Sequence, residues 1–289
     1  MNELIGKTIL ITGATNGLGK VAALELAKMG ATIFAVGRNP QKTETTVQEI
    51  RAQSKNQAIE GLVADLSSME EVRSLAQTFR QKAARLDVLI NDAGAIYVTR
   101  QVTVDGYERT FATNHLAYFL LTNLLLDMLK ASAPSRIVNV ASGAHLGAEL
   151  DFNDLQNEKH YGMGGYRAYG ESKLANLLFT YELAKQLAGT GVTVNAMHPG
   201  TVATGFGENN GGAMGMSMRV FHRFALTPEQ GADTIIYLAS SPDVTGITGK
   251  YWINRKEEAS SAASYDEGAQ KRLWAVSAQL TQMVEPVNA

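Results

Sequence analysis

Seven short β-branched runs, each separated from the next by a stretch long enough for a helix, limit most strongly what this chain can become. The runs cover residues 8–11, 32–36, 59–64, 88–91, 136–140, 192–196 and 251–253. Between them, apolar residues recur at spacings of three and four, as in Val72, Leu75 and Phe79, with Val21, Leu24 and Leu26 serving an earlier helix. Runs apolar on both faces and joined by helices predict a parallel sheet covered on both sides. The expected fold is α/β, a Rossmann-like doubly wound parallel sheet of about seven strands. At 289 residues a second domain has room, but no composition break, proline-rich linker or repeat divides the chain. One domain over 1–289 is expected, with a glycine-rich half at about 7–140 and a second half at about 141–289.

Composition removes several classes of function. Hydrophobic residues at 45% against charged residues at 19% suit a large buried core. A net charge of −2 offers no bulk attraction to nucleic acid or an anionic membrane. Cysteine is absent, which excludes disulfides, thiolate nucleophiles and cysteine-ligated metal centres. The five histidines show no metal-ligand spacing. Residues 1–7 lack the apolar stretch of an export signal. The apolar segment 116–129 is broken by Thr122, Asn123 and Asp127 and is too short to span a bilayer. A cytoplasmic protein with no membrane span is expected.

The first strand leads into Thr12-Gly13-Ala14-Thr15-Asn16-Gly17-Leu18-Gly19 and then a run of helix formers. Gly13, Gly17 and Gly19 allow a tight turn, close approach of backbone to phosphate, and close helix–strand packing. The following helix would present free N–H groups and its positive end to a pyrophosphate. An ordinary glycine turn is the alternative, weakened by this strand–turn–helix setting. The second strand ends at Val36-Gly37-Arg38, where an NAD site usually carries an acid for the ribose 2′-hydroxyl. None is present. Arg38 can instead pair with the 2′-phosphate of NADP, so NADP(H) is expected to be preferred over NAD(H). A solvated surface arginine is the alternative.

These features, with Asp65-Leu66, Asn91-Asp92-Ala93-Gly94, Asn114, Ser142, Tyr169 with Lys173, and Pro199-Gly200, resemble the short-chain dehydrogenase/reductase family. The markers run from residue 12 to residue 204 in the family's order. Asn114-His115-Leu116, the segment from Arg136 to Ser142, and Leu273-Trp274 are similar to its retinol-dehydrogenase-like branch. Two positions depart from the family pattern: Asp92, where a second asparagine is common, and Ala141, where a serine often stands. The membrane-anchoring N-terminal segment of many retinol dehydrogenases has no counterpart in residues 1–7.

The spacing Tyr-x-x-x-Lys, which sets two side chains on one helix face, occurs twice, at Tyr169/Lys173 and Tyr181/Lys185. In a doubly wound sheet, ligands sit beyond the carboxyl ends of the strands. The helix after Ser142 starts nearest that crevice, and Tyr181 lies about 18 Å further along. Tyr169 is therefore the expected general acid/base, and Tyr181 a core or surface residue. A tyrosine pKa near 10 is too high for free proton exchange, and a nearby ammonium would lower it. The resemblance implies that Lys173 also binds the nicotinamide ribose and that Asn114 holds a water linking Lys173 to solvent. Ser142 would orient the substrate oxygen.

The resemblance also implies that Asp65 contacts the adenine, with a helix cap as its alternative. Leu66 follows it. Asn91, Ala93 and Gly94 would wall the adenine–ribose side. The loop holding Pro199, Gly200, Val202 and Thr204 would bind the nicotinamide carboxamide. His145 and His160 are expected to be solvated. The irregular segments 149–167 and 201–226 are expected to be functional loops, the second a substrate lid, with surface insertions as the alternative. The methionine-rich 201–226 segment suits a hydrophobic alcohol or carbonyl substrate. A silent NADP(H)-binding redox sensor on the same fold is the rival reading, and the presence of all four proton-transfer residues argues against it. A homo-oligomer is compatible with the resemblance.

Overall fold

The computed structural model describes residues 3–200 and 226–283. Its elements follow in order: β1 (Thr8–Thr12), α1 (Gly17–Lys28), β2 (Thr32–Gly37), α2 (Pro40–Ser54), β3 (Ile59–Val63), α3 (Met69–Lys82) and β4 (Val88–Asn91). Then come α4 (Arg109–Phe111), a π-helical turn (Ala112–Leu116), α5 (Ala117–Leu124), α6 (Leu126–Ala131), β5 (Ser135–Val140), α7 (Tyr166–Gln186) and β6 (Val192–His198). The chain closes with α8 (Pro228–Ser240), β7 (Tyr251–Ile253), β8 (Lys256–Glu258) and α9 (Glu267–Leu280). The sheet order is β3-β2-β1-β4-β5-β6-β7-β8, parallel through β7. The order reverses between β1 and β4, which opens a crevice beyond their carboxyl ends.

The sheet has eight strands and is mixed, one strand more than expected. β8 pairs antiparallel with β7 through Asn254 and Arg255, both at positive φ (50° and 61°), as a two-residue hairpin turn requires. Its residues Lys256, Glu257 and Glu258 are all exposed, so no apolar pattern marks them.

Alternation along the strands divides the core. Leu10, Phe34, Leu89 and Ile137 face one layer with Phe79, Phe119, Leu178 and Leu273. Ile9, Ile11, Ile33 and Ile90 face the other with Leu26, Val47, Ile50 and Ile235. Side chains cap most of the long helices: Asn39 for α2, Ser68 for α3, Thr227 for α8 and Asp266 for α9. Asn16, the residue before α1, makes no such bond. No helix among the described residues is long and apolar enough to cross a membrane. The expected lid at 201–226, with Val202 and Thr204, lies almost wholly outside the described residues.

Candidate active site

The glycine turn closes against the end of β4. The Thr12 hydroxyl accepts from the Asp92 and Ala93 N–H groups at 3.0 and 3.2 Å. Gly13 is left-handed (φ 73°), and a Cβ there would lie 2.9 Å from the Ala93 Cα. A Cβ on Gly19 would lie 2.6 Å from the Asp92 Oδ2 and 2.7 Å from the Gly13 carbonyl oxygen. Only glycine fits at either place. Gly17 and Leu18 open α1, whose first-turn N–H groups receive nothing from Asn16. Thr15, Asn16, Gly17 and Leu18 thus line a helix start that receives no cap from Asn16, which fits a pyrophosphate.

Arg38 is exposed at the end of β2 and forms no ion pair or hydrogen bond among the described residues. The missing acid at Gly37 has a steric reason. A Cβ there would lie 2.3 Å from the Thr15 Cγ2 and 2.4 Å from the Thr43 Oγ1. The Asp65 Oδ1 accepts from the Ser67 N–H and hydroxyl at 2.9 and 2.8 Å, while the cap of α3 is Ser68. Leu66 is buried in the core. The Asn91 side chain does not wall the crevice. It is buried and donates to the Thr122 Oγ1 (3.1 Å) and the Asn139 Oδ1 (2.9 Å), which leaves its backbone alone at the strand end. Ala93 and Gly94 reach the crevice surface, and a Cβ on Gly94 would lie 3.5 Å from the Lys173 Nζ. Pro199 and Gly200 follow β6, with Gly200 left-handed at φ 81°.

Ser142, Tyr169 and Lys173 come together at the crevice end of β5 and α7. Ser142 begins a short 3-10 turn (Gly143–His145), and its hydroxyl accepts from the Ala144 N–H at 3.2 Å. It also hydrogen-bonds the Tyr169 phenol. Lys173 is 3% exposed, donates to the Val140 carbonyl at 2.8 Å, and sits 5.6 Å from the Tyr169 ring centre. Burial pulls its pKa down to about 8, opposed by the charge of Asp92. Tyr169 departs from expectation. Burial pushes its pKa above the ordinary value, and the opposing influence is the Ser142 hydrogen bond. A hydrogen bond to the Val140 carbonyl leaves the Lys173 charge in place, so the ammonium still favours the phenolate against that burial.

Asn114 also does something other than expected with its side chain. Its Oδ1 accepts from the Ala95 N–H (2.8 Å), and its Nδ2 donates to the Ala95 carbonyl (2.9 Å) and the Ser172 Oγ (3.0 Å). The amide pins the segment after Gly94 to α7, and its donors are spent on protein.

Two residues gain roles that sequence reasoning did not assign. His145 is fully buried, not solvated: its Nδ1 donates to the Ser142 carbonyl (2.6 Å), and its Nε2 accepts from the Ser261 N–H (3.1 Å). Both ring nitrogens are used, so the neutral form is held, and burial lowers its pKa. His198 accepts from the Gly143 N–H at its Nδ1 (3.1 Å), which places its ring proton on Nε2. Burial lowers its pKa to about 4. Position directly before Pro199-Gly200 was the one available signal for His198. His160 is exposed. Segment 149–167 is tied down: the Tyr161 hydroxyl donates to the Tyr97 carbonyl (2.7 Å), and Asn157 donates to Glu171 (2.8 Å).

A cavity of about 510 Å³ lies elsewhere, between α7 and α9, lined by Phe152, Leu174, Leu178 and Arg272. None of Ser142, Tyr169 or Lys173 lines it, and the chemistry belongs to the crevice.

A doubly wound sheet, a glycine turn at a helix start and a Ser–Tyr–Lys cluster at the switch point define a dinucleotide-dependent enzyme class. The short chain dehydrogenase family model matches residues 7–153 and 156–214. Human retinol dehydrogenase 13 is 41% identical over 288 residues, covering 97% of this chain and 86% of its own length. Mouse retinol dehydrogenase 14 is 44% identical over 286 residues, covering 94% and 85%. Among solved structures, an uncharacterised protein of Mycobacterium paratuberculosis aligns with a TM-score of 0.79 at 33% identity, covering 98% and 96%. A short chain dehydrogenase of Escherichia coli complexed with NADPH aligns at 0.70 and 25%, covering 88% and 99%. The chain belongs to the short-chain dehydrogenase family of nicotinamide-dependent oxidoreductases, on its retinol-dehydrogenase-like side.

Proposed function

We propose that this protein interconverts an alcohol and a carbonyl on a small hydrophobic substrate, using NADP(H) in preference to NAD(H). The convergence of Ser142, Tyr169 and Lys173 at the crevice end of α7 carries this reading. The nicotinamide, when bound, supplies or accepts the hydride. Gly13, the first turn of α1 and Gly94 would hold the dinucleotide, with Asp65, Pro199 and Gly200 at its ends. Tyr169 would give its phenolic proton to the carbonyl oxygen on reduction and take it back on oxidation. Ser142 would hold that oxygen against the phenol, since its hydroxyl already meets Tyr169. Lys173 would keep positive charge beside the proton-transfer path, and Asn114 fixes the wall opposite it. The retinol dehydrogenase names of the relatives support an apolar substrate.

Cofactor choice rests on Arg38, exposed and unengaged at the end of β2. The NADP and NADPH complexes among the structural neighbours support the same choice. NADPH and NADH consumption against a panel of aldehydes, ketones and retinal tests the reading, and failure of every carbonyl with both cofactors overturns it. Arg38→Ala should weaken NADPH binding roughly 10- to 150-fold, the loss of one charge-assisted contact, and leave NADH nearly unchanged. Equal loss for both cofactors would show that Arg38 reads something other than the 2′-phosphate.

A further inference from the structure

Asp92 is a titratable group that the proposed reaction does not use, standing where the chain departs from its family's pattern. Its backbone is fastened to the Thr12 hydroxyl (3.0 Å), and its carboxylate reaches under the glycine turn. The Oδ2 lies 2.6 Å from where a Cβ on Gly19 would stand and 3.2 Å from the same point on Gly13. The carboxylate faces the Gly19 N–H, which favours its ionised form. α1 has no side-chain cap from Asn16, and an acid from just past β4 faces that helix start across the fold.

The helix start carries roughly half a positive charge, and an anionic pyrophosphate is drawn to the same place. Two anions then compete for one helix end. The geometry points to Asp92 as a cofactor-binding residue whose proton sets the affinity: ionised, it opposes the dinucleotide, and protonated, it admits it. This inference rests on the reading of the glycine turn as a nicotinamide dinucleotide site.

The groups facing Asp92 come from three elements. α1 contributes the Gly19 N–H. α7 contributes Lys173, which favours the anion, and the phenol of Tyr169. α5 contributes Tyr118, fully buried, with a hydroxyl that finds no hydrogen-bond partner among the described residues. Burial outweighs the help of Lys173 and Gly19 and raises the carboxyl to about 7. A pyrophosphate arriving nearby raises it further, because a like charge disfavours ionisation. Between the free and bound values the complex holds one proton more than its parts, taken from solvent. Affinity must therefore fall as pH rises above about 7, and level off below it where Asp92 is neutral in both states.

The test is NADH affinity from pH 6 to 8.5, by titration calorimetry on the wild-type chain and Asp92→Asn. NADH lacks the 2′-phosphate, whose own titration would intrude. Asparagine keeps the shape and the acceptor for Gly19 without the charge. At pH 6 the two proteins should bind NADH alike. At pH 8.5 the variant should bind about tenfold tighter, one proton's linkage over little more than a pH unit. Curves that run parallel across the range, or weaker binding by the variant at pH 8.5, overturn the inference while leaving the cofactor site in place. Absence of NADH and NADPH binding in both proteins overturns the cofactor reading and this inference with it. Should Asp92→Asn fail to fold, wild-type calorimetry at pH 7.5 in two buffers of different ionisation enthalpy decides. Net proton uptake on binding is expected, and zero uptake or release overturns the inference.

Discussion

One helix carries the same two residues at the same spacing twice, and the two ends of α7 use them differently. At the packed end, the Tyr181 hydroxyl shares a hydrogen with the Ser260 Oγ (2.6 Å), and its ring stacks on Tyr265 at 5.2 Å. Lys185 is spent on the Gln270 Oε1 (3.0 Å) and the Glu267 carboxylate (2.8 Å), both on α9. At the crevice end, the Tyr169 phenol meets the Ser142 hydroxyl, and Lys173 lies buried with a carbonyl as its one hydrogen-bond partner among the described residues. The spacing guarantees a shared helix face and nothing more. Chemistry comes from what the rest of the fold brings to that face: a strand end with Ser142 and the switch-point crevice at one end, the C-terminal helix at the other. Burial of this lysine outweighs the favourable charge of Asp92 and costs stability, and such costs concentrate at functional sites.

The largest expected effect follows from this contrast. Tyr169→Phe should slow turnover by roughly 100-fold or more, the scale of a lost general acid, while cofactor affinity stays within a few-fold of wild type. Steady-state kinetics and cofactor titration on the same preparation check it. Tyr181→Phe is the matched control and should keep turnover nearly intact. If the two variants exchanged behaviours, the assignment of the two ends would be reversed.

A second effect separates the lysines by pH. Burial lowers Lys173 to about 8, below the ordinary value near 10.4. The folded chain thus binds fewer protons than the unfolded chain between about pH 8 and 10.4, so Lys173 makes stability rise with pH across that window. Turnover runs the other way. If the proposed reaction needs the ammonium, the rate should fall as pH passes about 8, by at most tenfold per unit. Opposed slopes of melting temperature and rate in one pH series, with the stability slope reduced in Lys173→Met, sharpen the comparison. A rate unchanged up to pH 10 would remove the charge of Lys173 from the mechanism.

Much of this contrast is legible in the amino-acid sequence, for reasons that differ by residue. The seven apolar strands announce themselves because both faces are buried, while β8 is silent because its three side chains point to solvent. Tyr169 could be chosen over Tyr181 because topology puts the start of that helix at the crevice. Hydrogen-bond partners cannot be read that way. Asn114 looks the same in sequence whether its amide holds water or clasps Ala95, and Lys173 gives no sign that the Val140 carbonyl accepts its hydrogen bond. Gly37 shows the limit most clearly. An acid is visibly missing there, but that Thr15 and Thr43 fill the space is a fact of packing. Substituting aspartate at Gly37 should therefore disturb the turn before it repels any phosphate.

The smallest effect belongs to the packed end and is the more exacting test. Tyr181→Phe removes one hydroxyl from the chain that runs Tyr181, Ser260, Ser264, with 2.6 Å at each step. The ring and its stacking on Tyr265 remain. A net hydrogen bond is worth about 0.5–1.5 kcal/mol, so the loss should be near 1 kcal/mol. Lys185→Met should cost less, since its partner Glu267 is 68% exposed and solvent screens such pairs to between about 0 and 1 kcal/mol. In a chain of this size, 1 kcal/mol moves the melting temperature by roughly 2 °C. Chemical denaturation at fixed pH resolves that difference. Ser260 adjoins Ser261, whose N–H is held by His145, and His145 in turn holds the Ser142 carbonyl. A loosened Ser260 would therefore reach Ser142 through the peptide link to Ser261 and the two hydrogen bonds of His145. If Tyr181→Phe costs about 1 kcal/mol and leaves kcat alone, the two ends are mechanically independent. If kcat falls tenfold at unchanged cofactor affinity, the packed end positions the working end through His145, and the separation of roles along α7 fails.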